Sequence, residues 1–310
     1  MKVIGGWRGL EPDDRGASVA LGAFDGVHRG HQAVIAAAAE QATTLSAPLG
    51  VVSFDPHPWR WFRRDAPPFL LATPAQRDRR LETLGVGRLY LMPFEDDLAS
   101  MPAAGFAEEV LAKGLGVRHV AIGSDTTFGK GRTGDGDLLK ALGQRLGFGV
   151  TVLDPLCDPG GRKLSSTDVR RALEAGDPHL ASEILGRPFA IEGVVARGQQ
   201  LGRTLGFPTA NVELDGYVRP KLGIYATRTR LPDGRNIPGV ASLGTNPTVG
   251  EVAARLEVFL FDFDEDIYGQ TIETELIDFL RPELKFPDLE ALVTQMQLDA
   301  ATARGLLSQA

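Results

Sequence analysis

The sequence predicts two domains of different class: an α/β domain built on a doubly wound parallel sheet, then a small antiparallel β-barrel with a helix at its end. Three observations carry this. The chain has 310 residues, enough for two domains of ordinary size. Up to about residue 186, short apolar runs alternate with helical patterns, the mark of a parallel sheet whose ligands sit beyond the carboxyl ends of its strands. After Leu185-Gly186-Arg187-Pro188 the pattern changes to closely spaced strands divided by turns such as Pro232-Asp233-Gly234. The expected domains are therefore 1–186 and 187–310.

In the first half, strands are expected at 17–22, 49–54, 88–92, 118–122 and 149–153. Helices should begin near His31, at Thr73-Pro74, and near Pro102, Asp135 and Ser166; Thr73 is an N-cap type followed by a first-turn proline. In the second half, strands are expected at 189–196, 223–231, 238–243, 255–263 and 271–280. A final helix from about Asp288 to Leu307 carries Leu289, Leu292, Val293 and Met296 at helical spacing, which should pack on the barrel.

The composition, 43% hydrophobic and 24% charged, describes a soluble globular chain. Its formal charge, 33 − 40 = −7, supplies no global basic field to recruit nucleic acid. The single cysteine, Cys157, makes no internal disulfide, which fits a reducing cytoplasm. The first eight residues reach charge and glycine too early for a signal peptide, and no apolar run approaches the roughly 20 residues of a membrane span. Nothing in the sequence sets an oligomeric state.

The most informative stretch is residues 21–31, where His28 and His31 flank Gly30 between an apolar run and a helical pattern. A strand-to-helix junction points unpaired N–H groups and a helix N-terminus at its ligand, which favours phosphate, and two imidazoles there can donate to a developing charge. A metal site is the alternative, since His28, His31, Asp55 and His57 are all ligand types. His57 lies between prolines after the second strand, either in a rigid turn or against a substrate.

Residues 123–134 form a glycine-rich basic loop that only approaches a Walker loop. Five residues separate Gly123 from Gly129 where four are needed, and Gly131 stands where Ser or Thr should be. Asp125, Lys130 and Arg132 still suit a nucleotide. Ser165 with Asp168 fits a capping pattern at the start of a helix; Ser165, Ser166, Thr167 and Arg170 could equally hold phosphates.

In the second half, Gly198, Gly202 and Gly206 allow close backbone approach to a ligand, while Thr209 and Asn211 would share a face if extended. Hard oxygen donors of that kind suit Mg²⁺. Glu257 lies in the apolar run 255–263, either paired with Arg255 or acting as general base for an alcohol.

Together these motifs resemble the bifunctional prokaryotic riboflavin kinase/FAD synthetase family over nearly the whole chain. Gly22-Ala23-Phe24-Asp25-Gly26-Val27-His28-Arg29-Gly30-His31, Phe128-Gly129-Lys130-Gly131 and residues 165–170 resemble its adenylyltransferase half. Leu205-Gly206-Phe207-Pro208-Thr209-Ala210-Asn211, Gly244-Thr245-Asn246-Pro247-Thr248, Glu257 and Asp266-Ile267-Tyr268-Gly269 resemble its flavokinase half.

The resemblance implies a Rossmann-like nucleotidyltransferase domain joined to a six-stranded barrel. It implies that riboflavin is phosphorylated by ATP to FMN, which ATP then adenylylates to FAD with release of pyrophosphate. By the same likeness Glu257 is the kinase base, Thr209 and Asn211 ligate Mg²⁺, and His28 and His31 stabilise ATP phosphates. Gly22, Phe24, Asp25, Gly30, Asp125, Ser165, Ser166, Thr167, Arg170, Gly202 and Arg203 would surround nucleotide, and Asp55, His57, Phe128, Tyr268 and Arg281 flavin. Ala23, Thr126, Thr127 and Asp168 depart from the family pattern, all in the adenylyltransferase half. A kinase with a decayed first half, and a flavin- or nucleotide-binding regulator without turnover, are the competing functions.

Overall fold

The computed structural model describes residues 1–197, 205–245 and 254–308. It divides into two compact units, Met1–Ala66 with Pro74–Leu164, and Pro67–Thr73 with Ser165–Ala310.

The first unit holds a six-stranded sheet: β1 (Lys2–Gly5), β2 (Ser18–Leu21), β3 (Leu49–Asp55), β4 (Arg88–Pro93), β5 (His119–Gly123) and β6 (Gly149–Leu153). All neighbours are parallel, in the order β1-β4-β3-β2-β5-β6. Alternate residues of the central strands feed two cores, as a sheet covered on both faces requires. Val19, Leu21, Val52 and Tyr90 join Phe106, Leu111 and Leu139 on one face. Ala20, Val51 and Leu89 join Val34, Ile35 and Ala38 of α1 (Arg29–Thr44) on the other, with Leu81. The order reverses between β2 and β5, so the carboxyl ends of these two strands form the crevice where such folds take ligands.

The remaining helices of this unit are α2 (Pro58–Phe62), α3 (Pro74–Thr83), α4 (Asp96–Ala99), α5 (Ala103–Gly105), which runs into a π-helical stretch Phe106–Gly114, and α6 (Gly136–Leu146). Short β1 was not among the expected strands. Its four residues carry too little pattern, and its pairing with β4 defines it.

The second unit holds α7 (Ser166–Ala175), α8 (Pro178–Leu185) and strands β7 (Phe189–Val194), β8 (Ala210–Glu213), β9 (Gly223–Arg230), β10 (Asn236–Thr245), β11 (Ala254–Leu260) and β12 (Thr271–Arg281). Their order is β7-β12-β9-β10-β11-β8, antiparallel throughout. The ring is drawn together where Ala196 N donates to Asn211 O at 2.9 Å. Gly223 starts β9 at φ +151°, and a Cβ there would lie 2.3 Å from the Arg281 carbonyl oxygen, so only glycine allows this approach to β12.

The second compact unit also takes in residues 165–186. Helices α7 and α8 pack on each other, and α8 packs on β7 and β12, burying Ile184 and Leu185, so they group with the barrel. Segment Pro67–Thr73 joins them through Phe69 N and Leu70 N, which both donate to Gly216 O.

The C-terminal helix, Leu289–Leu307, is capped by Asp288, whose carboxylate accepts from Ala291 N at 2.8 Å. Its tight contacts are Ala303 and Leu307 against Ala226, Val240 and Phe261, about two turns beyond the residues expected to pack. Leu289 is exposed, and Leu292 and Met296 line a cavity instead. No helix among the described residues is long and apolar enough to cross a membrane.

Candidate active sites

In the first unit, the chain leaves β2 at Leu21 and turns through Phe24 (φ 54°), Gly26 (φ 76°) and Val27 (φ 43°) before α1. Left-handed conformations at two bulky residues are costly, and such strain clusters at functional turns. Phe24 is fully buried and Asp25 nearly so, fixing the turn from below. Gly22 N donates to Val52 O, and Ser53 Oγ donates to Ala23 O, tying the turn to β3.

His28 is the N-cap of α1, its Nδ1 accepting from His31 N at 3.3 Å. That acceptor role leaves Nε2 as the protonated nitrogen of the neutral ring. The His28 and His31 rings stack with centroids 3.7 Å apart, and Phe24 supports His31 at 5.1 Å. Gly30 packs closely here: a Cβ would lie 3.0 Å from the His28 ring and 3.2 Å from Leu164 O. Two imidazoles thus sit at the N-terminus of a 16-residue helix, at the crevice edge, where its dipole favours anions.

The loop after β5 presents Asp125, ion-paired with Lys163. Phe128, a flavin candidate from sequence, is buried: it packs against Phe106 at 5.7 Å and covers Gly134, so its ring belongs to the core that anchors the loop. Asp55 is exposed at the end of β3. His57 caps α2 by accepting from Trp59 N at 3.1 Å, the rigid-turn alternative. Among the described residues, no group of three or more His, Cys, Asp and Glu side chains is arranged to hold a metal ion.

The turn at 165–170 groups with the second unit. Ser165 Oγ accepts from Asp168 N at 3.3 Å and bonds its carboxylate, so the capping alternative is formed. Arg170 Nε donates to Phe69 O at 2.7 Å with its guanidinium over the Phe69 ring, which ties α7 to segment Pro67–Thr73. Ser166 and Thr167 head α7.

On the barrel, Glu257 is exposed while Leu256 and Val258 point inward. It does not pair with Arg255, whose guanidinium reaches Glu213 of β8 at 3.6 Å. Glu257 instead lies opposite Asn211 on β8 and Ser242 on β10. Strand β8 was not expected; the register with β11 creates it and sets Asn211 opposite Glu257.

Thr209, Ser242 and Glu257 line a cavity of about 450 Å³ between the outer barrel face and the first half of the C-terminal helix. Apolar walls come from Phe207, Phe259, Phe286 and Met296, a size and lining typical of small-molecule sites. Arg281 and Asp299 close one side through a bidentate pair, Nη2 to Oδ2 at 2.6 Å and Nε to Oδ1 at 2.9 Å, with Gln295 donating to Asp299 at 2.9 Å. Tyr268 is outside this lining, with Arg197 over its ring at 5.0 Å. Sequence reasoning missed Ser242 and Asp299, because no spacing connects them to Glu257 or Arg281. Gly202 and Arg203, and residues 246–248 of the Gly244 motif, lie outside the described residues.

A family model for FAD synthetase matches residues 10–168, and one for riboflavin kinase matches residues 185–307. The chain belongs to the bifunctional riboflavin kinase/FMN adenylyltransferase family. The protein of that name from Pseudomonas fluorescens is 42% identical over 99% of this chain and 98% of its own. Its namesake from Escherichia coli (strain K12) is 39% identical, covering 98% and 97%. A solved structure described as a macrolide-efflux protein from Streptococcus pneumoniae superposes with a TM-score of 0.87 at 32% identity, covering 97% and 98%. The riboflavin kinase/FMN adenylyltransferase family thus accounts for both units, and the full-length match extends to both motif sets.

Proposed function

We propose that the two family reactions are divided along the chain, with the kinase in residues 187–310 and the adenylyltransferase in residues 1–186. The chain phosphorylates riboflavin to FMN with ATP and adenylylates FMN to FAD, releasing pyrophosphate. The observation that carries the assignment is the meeting of Glu257 and Thr209 in one apolar cavity, with Asn211 beside Glu257.

In the barrel, the apolar walls and the Arg281 edge bind the flavin, and Glu257 accepts the proton of the ribityl 5′-hydroxyl as that oxygen attacks the ATP γ-phosphorus. Thr209, in the cavity with Glu257, and Asn211, opposite it in register, offer neutral hard oxygens, a donor set that fits Mg²⁺ and would hold it. When bound, Mg²⁺ neutralises phosphate charge. In the first unit, the FMN phosphate oxygen attacks the ATP α-phosphorus in line. His28 and His31, at the α1 N-terminus, donate to the phosphate oxygens as charge passes to pyrophosphate. No protein nucleophile is needed. A cytoplasmic setting, with both nucleotide substrates at hand, suits this chemistry.

Incubation with riboflavin, ATP and Mg²⁺, with FMN and FAD separated over time, tests the reading. FMN should appear first and FAD second, and chelation of the metal should stop both. FMN without FAD under any divalent metal would leave a kinase with a decayed first half, and no conversion would leave a binding protein.

A further inference from the structure

Lys163 precedes the turn at 165–170, and neither composition nor motif spacing singles it out. In the structure it occupies a particular place in the first unit. The neighbouring Leu164 carbonyl oxygen lies 3.2 Å from where a Gly30 Cβ would be, and the His28 ring lies 3.0 Å from the same point. Backbone at 164 therefore runs against the turn that follows β2. The Lys163 ammonium reaches the other way, to the Asp125 carboxylate in the loop that follows β5. One two-residue segment thus spans the two loops of the switch-point crevice, with its only cation directed into the second.

We propose that Lys163 is a further catalytic residue of adenylyl transfer, contacting the pyrophosphate portion of ATP, and that Asp125 is its positioning residue. This rests on the adenylyltransferase reading of the first unit. In that step the FMN phosphate oxygen forms a bond to the α-phosphorus, and the bond from that phosphorus to the bridging oxygen breaks. Its electron pair leaves with pyrophosphate, whose charge rises as it departs. An ammonium is a compact point charge on a flexible stem, suited to following that charge. Asp125 neutralises Lys163 until the polyphosphate arrives and keeps its stem directed along the crevice. A merely structural pair is the competing account: both side chains are about half exposed, 42% and 58%, and pairs of that kind contribute little to stability.

The test compares the full-length parent, Lys163→Met and Lys163→Arg. Riboflavin phosphorylation, FMN adenylylation and inhibition of adenylylation by inorganic pyrophosphate are measured on each preparation. Lys163→Met should lower the adenylylation kcat by roughly ten- to a hundredfold, below the loss of a fully buried transition-state donor. Pyrophosphate should inhibit it more weakly by a similar factor, KM for FMN should stay within about twofold, and Lys163→Arg should recover most of both losses. Riboflavin phosphorylation should be unchanged, which guards against misfolding. Adenylylation and pyrophosphate inhibition of Lys163→Met both within about twofold of the parent would overturn the proposal. Failure of the parent itself to make FAD would instead overturn the reading on which it rests.

Discussion

Glu257 of β11 stands opposite Asn211 of β8, and Arg255, two residues earlier on the same face, is turned to Glu213. The carboxylate is thus held beside Asn211, and among the described residues no salt bridge joins it to a cation. Glu257→Gln keeps the shape and removes the basicity. It should cut riboflavin phosphorylation by about a hundred- to ten-thousandfold while supplied FMN is still adenylylated. Near-normal kinase turnover in this variant would reduce Glu257 to a structural neighbour of Asn211.

Stacking of His31 on His28 predicts the converse. His31→Ala removes one donor from the α1 N-terminus and should lower FAD formation roughly a hundredfold, leaving FMN formation nearly intact. Equal loss of both activities would mean a folding defect.

Gly30→Ala tests the same turn through geometry alone. Its Cβ would lie 3.0 Å from the His28 ring and 3.2 Å from Leu164 O, so these neighbours must give by a few tenths of an ångström. A misplacement near 1 Å at a reacting geometry costs roughly a hundredfold, so a shift of this smaller size should lower adenylylation severalfold with kinase turnover retained. Parent-like adenylylation would show that the turn absorbs a methyl group without moving His28.

The Arg281–Asp299 pair is 15% and 8% exposed at its side chains. Removing one partner of a buried pair leaves the other charge unpaired, at a cost of about 3–5 kcal/mol. Asp299→Ala should therefore lower the denaturation midpoint and raise KM for riboflavin, because Arg281 walls the cavity. A midpoint within error of the parent would contradict this.

His119 is buried beside Ser18 of β2 and Thr151 of β6, and burial pushes its pKa below the ordinary value of 6.5. Ser18 Oγ donates to Ala38 O, so His119 Nδ1–H is the donor to Ser18, and Nε2 accepts from Thr151 in the neutral ring. The unfolded chain binds the proton more readily. Stability from this group is full above about pH 6.5 and is lost as pH falls through the lower folded-state value. In His119→Gln that slope should disappear from denaturant midpoints measured between pH 7 and 5.

The sequence by itself determined the fold class, the order of the two domains and most strands, because alternating apolar runs and Gly/Pro turns are local signals. It also determined the His28–His31 turn and the Thr209–Asn211 alternation, whose meaning depends on neighbours within a few residues. Tertiary structure decided the rest. β1 and β8 exist because a partner strand completes their hydrogen bonds, and α7 and α8 group with the barrel because their apolar faces pack within the second unit. Glu257 was separated from Arg255 by the nearer claim of Glu213, and Arg170 and Phe128 were drawn into packing that no spacing announces. Asp299 reaches Arg281, and Lys163 reaches Asp125, across 18 and 38 residues. Such contacts depend on how strands and helices are stacked, and a one-dimensional pattern records which residues are apolar without recording which distant charges they bring face to face.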